Sequence, residues 1–250
     1  MMGYRHIRIK IMITFKKKYR IELAKTLQGH YYNVFLGKKK VDVVPSSTTI
    51  LQAYPTSEHL VKWIAENGFH ESRQMRDKAG IAGSKIHAGI ETLLGGGELH
   101  EADYSLEEYN KLYTFTCWYK EILPEIEALE LPVYSPKYHY AGRLDCVIKL
   151  GDKYGIIDWK SSKNLHDSFA LQFASYAHAL EEIADIKISF TAVLQLGAKN
   201  KKGFRYVVYE KWQDDFKVFQ SVKKTWEFDQ SKIAENGPTV LDLPATLSLS

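Results

Sequence analysis

Two segments of the chain, residues 138–150 and 154–161, are rich in β-branched and aromatic residues, and polar side chains recur two positions apart at Arg143 and Asp145 and at Asp158 and Lys160. This pattern is typical of half-buried β-strands. Gly151 and Asp152 separate the two segments, and a glycine in the first position of a two-residue loop suits a type II′ turn. The pattern therefore predicts a β-hairpin.

The register of this hairpin determines which side chains meet. If the turn has two residues, Leu150 pairs with Lys153. Counting back along both strands sets Asp145 directly opposite Asp158, and the alternation of side chains places Lys160 on the same face. Two carboxylates and an ammonium group together are costly, so we expect a divalent cation and a phosphate to bind between them. The other face carries an apolar set suited to a core: Leu144, Cys146, Ile148, Leu150, Ile157 and Trp159.

The remaining patterns predict the other elements of the fold. Helical periodicity and capping signals predict helices at residues 57–67, 71–94 (interrupted near Gly80 and Gly83), 105–124 (capped by Ser105 and Glu108), 168–184 (capped by Ser168) and 214–228. Further strands are predicted at residues 130–133, 187–196 and 204–210, and a loop at residues 45–49. This order of elements predicts an α/β fold with a mixed β-sheet flanked by helices.

The same order divides the chain into three regions. We expect an N-terminal β-hairpin region at residues 1–50, a main domain at 51–230 and a C-terminal tail at 231–250. Residues 1–20 are basic and lack acidic side chains, which is one feature of a transit peptide. The alternation of apolar and basic side chains at residues 7–11 favours a strand instead.

Composition narrows the class of protein. The 250 residues carry a net charge of +4 with a pI of about 8.8, which permits a nucleic-acid partner without demonstrating one. The two cysteines, Cys117 and Cys146, imply no disulfide framework and favour a reducing compartment. No apolar run approaches the roughly 18 residues needed to cross a bilayer, so no membrane association is expected.

Several polar residues have both an ordinary and a functional interpretation. Asp158 is the clearest, because aspartate is disfavoured in strands and this one interrupts an apolar run. His87 and Glu91 share a face of a predicted helix, near enough together to share a ligand. Gln172 and Tyr176 form another i, i+4 pair, which in isolation is typical of the polar margin of an amphipathic helix. The lysines of the turns at residues 38–40 and 199–202 are typical of solvated surfaces, although they can also contact phosphates.

Taken in order, these residues resemble the RecB-like branch of the PD-(D/E)xK nuclease superfamily. The resemblance rests on a helical histidine motif at residues 83–87, G-x-x-D at 142–145, D-x-K at 158–160 and Q-x-x-x-Y at 172–176. Residues 45–51 also resemble a segment ahead of the core in phage-type members. The resemblance covers roughly residues 45–196, and it implies a restriction-endonuclease-like core with Mg²⁺ or Mn²⁺ at its site.

The resemblance also implies a role for each candidate residue. Asp145, Asp158 and Lys160 are expected to be catalytic, with Lys160 orienting the attacking water or acting as a base. The expected metal-site residues are His87, Asp145, Asp158, Trp159 through its backbone carbonyl, and Glu130. The expected substrate-binding residues are Gln172, Tyr176, Arg143 and Ser161.

We therefore expect a Mg²⁺- or Mn²⁺-dependent deoxyribonuclease, an exonuclease of DNA recombination, repair or replication. A nucleic-acid-binding subunit that kept the fold without the chemistry, and a nuclease acting on RNA, remain open as alternatives. The expected substrate is DNA that is single-stranded or has free ends. Two cysteines cannot hold the iron–sulfur cluster that some relatives carry.

The chain is similar to stand-alone, phage-type exonucleases rather than to helicase–nucleases. It contains no G-x-x-x-x-G-K-[ST] phosphate loop, so unwinding is expected to come from a separate helicase. A single-strand annealing or binding protein is a second expected partner. We expect a cytoplasmic protein of bacterial or phage origin, without mitochondrial targeting.

Overall fold

The structure is a computed structural model that describes residues 13–26, 29–233 and 240–241. The predicted strand at residues 7–11 and nearly all of the predicted C-terminal tail lie outside these residues. The elements, in chain order, are β1 (Tyr19–Ala24), β2 (Tyr31–Leu36), β3 (Lys39–Pro45), α1 (Ser47–Ile50), α2 (Glu58–Asn67), α3 (Phe69–Leu94), α4 (Leu106–Ile122), β4 (Glu125–Ser135), β5 (Tyr140–Leu150), β6 (Lys153–Lys160), α5 (Ser168–Ile183), β7 (Ile188–Leu196), β8 (Phe204–Tyr209) and α6 (Trp212–Ile233).

A five-stranded sheet forms the centre of the molecule, with strand order β4-β5-β6-β7-β8. The pair β6–β7 is parallel and the other pairs are antiparallel. Helices α5 and α6 pack on one face, and α3 and α4 on the other. The predicted α/β fold, a mixed sheet flanked by helices, is confirmed. No helix in the described part of the chain has the length and apolar character needed to cross a membrane.

The predicted hairpin register is confirmed. Strands β5 and β6 pair from Leu150–Lys153 back to Cys146–Ile157. A type II′ turn requires a positive φ at the first of its two loop residues only. Gly151 has a φ of 59°, and Asp152 is not among the described residues with a positive φ.

At one point, side chains stop alternating between the two faces of the sheet, contrary to the prediction. Leu144 was predicted to share a face with Cys146, but Leu144 packs in the α5–α6 core and Cys146 in the α3–α4 core. The neighbouring strand changes face at the same level, because Leu129 packs with α3–α4 and Leu131 with α5–α6. Glu130, between them, has a left-handed φ of 47°, and this conformation interrupts the alternation.

The helix signals are confirmed in part. Ser57 Oγ accepts a hydrogen bond from the Leu60 amide, and Ser105 with Glu108 forms a capping box. The predicted interruption of α3 is wrong, because the helix continues through Gly80 and Gly83. A helical glycine costs only about 1 kcal/mol relative to alanine, so two glycines need not end a long helix.

Three boundaries also differ from the prediction. Ser168 is the first residue of α5 rather than its cap; Asp167 precedes it and makes no side-chain capping bond. Strand β4 begins at Glu125, ahead of the predicted start at Glu130. The expected loop at residues 45–49 contains the single-turn helix α1, which Ser46 caps by accepting from the Thr49 amide.

Strands β1, β2 and β3 form a separate antiparallel sheet. Its apolar residues Val34 and Val44 pack against Tyr134 of β4 and Ala141 of β5. Asp42 adds a polar link, because its Oδ2 accepts a hydrogen bond from Tyr134 Oη at 2.7 Å. The division of the chain into an N-terminal region, a main domain and a tail stays a prediction.

Candidate metal centre and active site

Asp158 and Lys160 form a close pair at the end of β6. Asp158 is only 2% exposed, and its Oδ1 lies 2.5 Å from Lys160 Nζ. The contact is an ion pair by distance, although its angles fall outside hydrogen-bond geometry. The ammonium lies 4.9 Å from the ring centre of Phe169 and 5.7 Å from that of Phe173, so α5 covers it with aromatic faces.

The electrostatics keep Lys160 protonated in the metal-free protein. Burial alone lowers the pKa of Lys160, but the charges of Asp158 and Asp145 outweigh burial and raise it above its ordinary value. The expectation that Lys160 acts as a base therefore depends on a nearby metal ion to lower its pKa. Without one, the side chain is a fixed positive charge.

Asp145 occupies the point where β5 and β6 stop pairing. Its Oδ2 accepts a hydrogen bond from the backbone N–H of Trp159 at 2.9 Å. Burial and the negative charge of Asp158 raise the pKa of Asp145 well above its usual range, and the charge of Lys160 offsets only part of this. A cation at this carboxylate would stabilise its charged form.

His87 reaches the same point from α3. Its Nε2 lies 3.0 Å from the Trp159 carbonyl oxygen and its Nδ1 lies 3.5 Å from Asp145 Oδ2. Burial lowers the pKa of His87, which favours the neutral ring. A neutral ring that donates from Nε2 to the carbonyl leaves the Nδ1 lone pair facing a carboxylate. Two facing acceptors are stabilised by a cation between them.

Glu130 completes a group of three candidate metal ligands. Ligand atoms of His87, Glu130 and Asp145 all lie within 4.8 Å of one another, and no other such group occurs among the residues that the structure describes. Burial, followed by the charge of Glu91, raises the pKa of Glu130 to about 7. Arg143 opposes this shift, with Nη1 3.8 Å from Glu130 Oε2. Imidazole and carboxylate donors at this spacing fit a divalent ion such as Mn²⁺ or Mg²⁺.

The group opens into a cleft of about 460 Å³, which we call the metal cleft. Its lining residues are Gly80, Gly83, Ser84, His87, Glu91, Glu130, Arg143 and Asp145. Two glycines on α3 leave the wall of this cleft without side chains, and a Cβ at Gly83 would lie 3.4 Å from Ser161 Oγ. Of the predicted substrate residues, Arg143 lines the metal cleft and Ser161 lies beside Gly83.

Gln172 and Tyr176 form a support behind the site. Gln172 Nε2 donates to Tyr176 Oη at 2.8 Å. A Cβ at Gly142 would lie 2.3 Å from the Tyr176 ring, so the glycine of the G-x-x-D motif leaves room for the tyrosine of the Q-x-x-x-Y motif. Ser175 Oγ is 2.8 Å from Ser47 Oγ, which ties α5 to α1.

The structure thus divides the predicted site residues into two groups. His87, Asp145 and Glu130 come together as one group, and Asp158 with Lys160 as another. The Trp159 carbonyl contacts His87 rather than facing the cleft. The chemical role assigned to each residue stays a prediction.

Two further residues lie beside the site; the sequence pattern indicated the first and missed the second. Glu91, which shares a helix face with His87, lines the metal cleft one helical turn beyond it. Gln195 is 6% exposed on β7, and its side chain donates to the carbonyls of Ser162 and Lys163. Its signal was a polar residue within an apolar strand, the same feature that identified Asp158.

The mixed sheet and this arrangement of charged side chains are consistent with a stand-alone PD-(D/E)xK-like nuclease, the class that the motifs predicted. No protein-family model matches the chain. Two curated relatives do. The chain is 29% identical to human mitochondrial genome maintenance exonuclease 1 over 133 residues, which cover 49% of this chain and 38% of the relative. It is 28% identical to the mouse protein of the same name over 164 residues, covering 56% and 45% respectively.

These matches span less than half the length of the two relatives. They correct one expectation: both relatives are mitochondrial by name, so the predicted cytoplasmic location in a bacterium or phage-infected cell is wrong.

Two solved structures are more distantly similar. The structure described as SSO0001 is 14% identical, with a TM-score of 0.41 and coverage of 81% of both chains. An alkaline exonuclease from Laribacter hongkongensis is 9% identical, with a TM-score of 0.36 and coverage of 76% of this chain and 93% of the other. Likeness at this level carries no information about activity.

Proposed function

We propose that this protein is a metal-dependent DNA exonuclease. One observation carries the proposal: the group His87, Glu130 and Asp145 lies directly beside the buried ion pair Asp158–Lys160. Phosphodiester hydrolysis needs both a cation site and a positive charge near the phosphoryl oxygens. The printed names of the curated relatives, which are exonucleases of genome maintenance, support DNA as the substrate.

His87, Glu130 and Asp145 would hold Mg²⁺ or Mn²⁺, with the imidazole tolerated better by Mn²⁺. When bound, the ion supplies charge neutralisation at the phosphate and activation of a water molecule. The raised pKa values of Asp145 and Glu130 support this assignment, because both carboxyl groups are held where their negative charge lacks compensation.

The protein's own residues do the positioning. Lys160 places an ammonium beside the metal cleft, where it can donate a hydrogen bond to a phosphoryl oxygen or orient the attacking water. Asp158 fixes the direction of that ammonium. The Trp159 backbone couples the two groups, since its N–H bonds to Asp145 and its carbonyl contacts His87.

We assign supporting roles to four residues outside the group of metal ligands and the ion pair. Gln172 and Tyr176 would fix the packing behind Lys160, while Arg143 and Ser161 would contact the strand at either side of α3. A helicase and a single-strand annealing or binding protein are proposed as partners.

The test is digestion of 5′- and 3′-labelled DNA, linear and circular, single- and double-stranded, with Mg²⁺ or Mn²⁺. We expect linear DNA to be degraded from an end and circular DNA to survive. Cleavage of circular DNA would contradict exonuclease action, and preferential degradation of labelled RNA would favour the alternative substrate. Binding of DNA without cleavage in any divalent ion would favour a binding subunit.

Matched variants on the same hairpin give the control. Asp158→Asn and Lys160→Ala should abolish cleavage, whereas Asp152→Asn and Lys153→Ala, at the exposed turn, should not. Circular dichroism checks that all four variants are folded. Undiminished activity in folded Asp158→Asn or Lys160→Ala would rule out the proposed site.

A further inference from the structure

A second cleft, of about 920 Å³, shares no lining residue with the metal cleft. Helix α2, helix α3, the segment 161–167 and strands β7 and β8 all contribute to its lining. We call it the strand cleft. Its lining residues are Ser57, His59, Leu60, Trp63, Arg76, Lys163, Asn164, Leu165, His166, Asp167, Gln195 and Arg205.

Positive side chains outnumber negative ones in the lining of the strand cleft. Arg76, Lys163 and Arg205 line it together with a single carboxylate, that of Asp167. None of the three cations has a carboxylate within ion-pair distance among the residues that the structure describes. Other cations nearby do, for example Lys111 with Glu107 at 2.8 Å. Exposed positive charges that converge from three elements attract a polyanion.

The cationic segment is fastened in place. Gln195 Nε2 donates to the carbonyl oxygens of Ser162 at 2.9 Å and Lys163 at 2.8 Å. Gln195 also pairs with Lys160 on β6 and with Arg205 on β8. A buried amide in an apolar strand is costly unless it is hydrogen-bonded, and here both bonds hold the segment that carries Lys163.

An aromatic side chain faces the same space. Trp63 lies on α2, a helix with no buried residues, and is only partly covered. Grooves that bind unpaired nucleic acid combine cations along the backbone with aromatic rings on which bases stack. A base can reach such a ring only when it is not paired.

From these contacts we propose that the strand cleft binds an unpaired DNA segment adjacent to the scissile bond. Lys163, Arg205 and Arg76 contact its phosphates, and Trp63 stacks on a base. Because Lys163 is three residues beyond Lys160, the two ammonium groups belong to backbone positions at most roughly 11 Å apart. The cleft therefore holds nucleotides close to the reacting phosphate. The placement of the bound strand next to the scissile bond rests on the proposed nuclease function, whereas the binding test does not.

The test measures binding without cleavage. A fluorescent oligothymidylate is titrated in EDTA with the full chain carrying Asp158→Asn, and affinity is followed by anisotropy at several salt concentrations. Each phosphate contact removed lowers the salt slope for single strands by about 0.7. The change Lys163→Ala with Arg205→Ala should therefore reduce the slope by about 1.4. Trp63→Ala should weaken binding about 5- to 150-fold, the range measured for loss of one stacked base.

The control is the pair Lys187→Ala with Lys224→Ala, which removes the same charge from exposed positions outside both clefts. It should leave the slope within error of the parent. An unchanged slope in the Lys163 and Arg205 variant, or a duplex of equal length bound as tightly as the single strand, would overturn the inference. Thermal melting checks that each variant is folded. If binding depends on the strand cleft but no divalent ion supports cleavage, the proposed nuclease activity is wrong and the binding inference stands.

Discussion

The metal cleft and the strand cleft present opposite charges. The metal cleft gathers Glu91, Glu130 and Asp145, and burial raises the pKa of the last two. The strand cleft gathers Arg76, Lys163 and Arg205 without matching carboxylates. One is suited to a cation and the other to a polyanion.

Lys160 pairs with the buried carboxylate of Asp158, and its removal should have the largest effect. We expect Lys160→Ala to lower kcat for DNA cleavage by about 10²- to 10³-fold, the range for losing one preorganised charge-stabilising group. The metal concentration for half-maximal activity should change little. Single-turnover cleavage over a metal titration measures both quantities, and a large shift in the metal requirement alone would instead place Lys160 in metal binding.

Asp145→Ala should produce the complementary defect in the metal cleft. Removing a partner outside the coordination shell costs about 10- to 100-fold in metal affinity, so loss of a direct ligand should exceed that range. Isothermal titration with Mn²⁺ measures the affinity without any nuclease assay. Binding of Mn²⁺ as tight as in the unchanged protein would remove Asp145 from the metal centre.

Gly142→Ala should destabilise the packing of α5 against β5. The new methyl group would meet Tyr176 at 2.3 Å, and overpacking of this kind costs about 1–3 kcal/mol. Thermal unfolding measures the loss. Gly80→Ala is the matched control, because nothing lies within 4 Å of its Cβ position and alanine is the better helix former. Equal melting temperatures for both variants would contradict the steric role of Gly142.

Gln195→Ala should act on the strand cleft through the segment it fastens. Losing two hydrogen bonds should reduce the free energy that holds this segment in place by about 1–3 kcal/mol. We expect a raised KM for DNA with a smaller change in kcat. Gln195→Glu is nearly isosteric but cannot donate to carbonyls, so it should share the defect. If Gln195→Glu behaves like the unchanged protein, packing rather than hydrogen bonding explains the residue.

A smaller effect is expected from the pH dependence of stability in chelator. Because the pKa of Glu130 is about 7 in the folded protein and near 4.5 when unfolded, the folded state binds the proton more tightly. Its contribution to stability is therefore largest at low pH and is lost as pH rises from about 4.5 through 7. Chemical denaturation between pH 5 and 8 should show this decline, and Glu130→Gln should reduce it. A steeper decline in Glu130→Gln would contradict the assignment.

Much of the site was predictable because its signals are local. The two-residue turn at Gly151 and the period of two along both strands were sufficient to set the register of β5 and β6. The capping box at Ser105 and Glu108 was likewise readable from residues three apart. Turn geometry and capping involve neighbours in the chain, so their energies act before any distant contact forms.

The strand cleft and its positive charge, by contrast, were not predictable from local patterns. The strand cleft assembles residues from α2 to β8, and no sequence pattern had singled out Arg76, Lys163 or Arg205. Gln195 was overlooked because its partners, the carbonyls of Ser162 and Lys163, lie more than thirty residues earlier in the chain.

The sequence by itself therefore determined the hairpin, most helix starts, the α/β class and the residues that carry charge at the site. Tertiary structure alone decided how those charges are grouped. The left-handed conformation of Glu130 interrupts the alternation of β4, and the packing of α3 on the sheet brings ligand atoms of His87, Glu130 and Asp145 within 4.8 Å of one another. Such a change of face depends on which helices cover each side of a strand, and that is settled only when distant elements pack together.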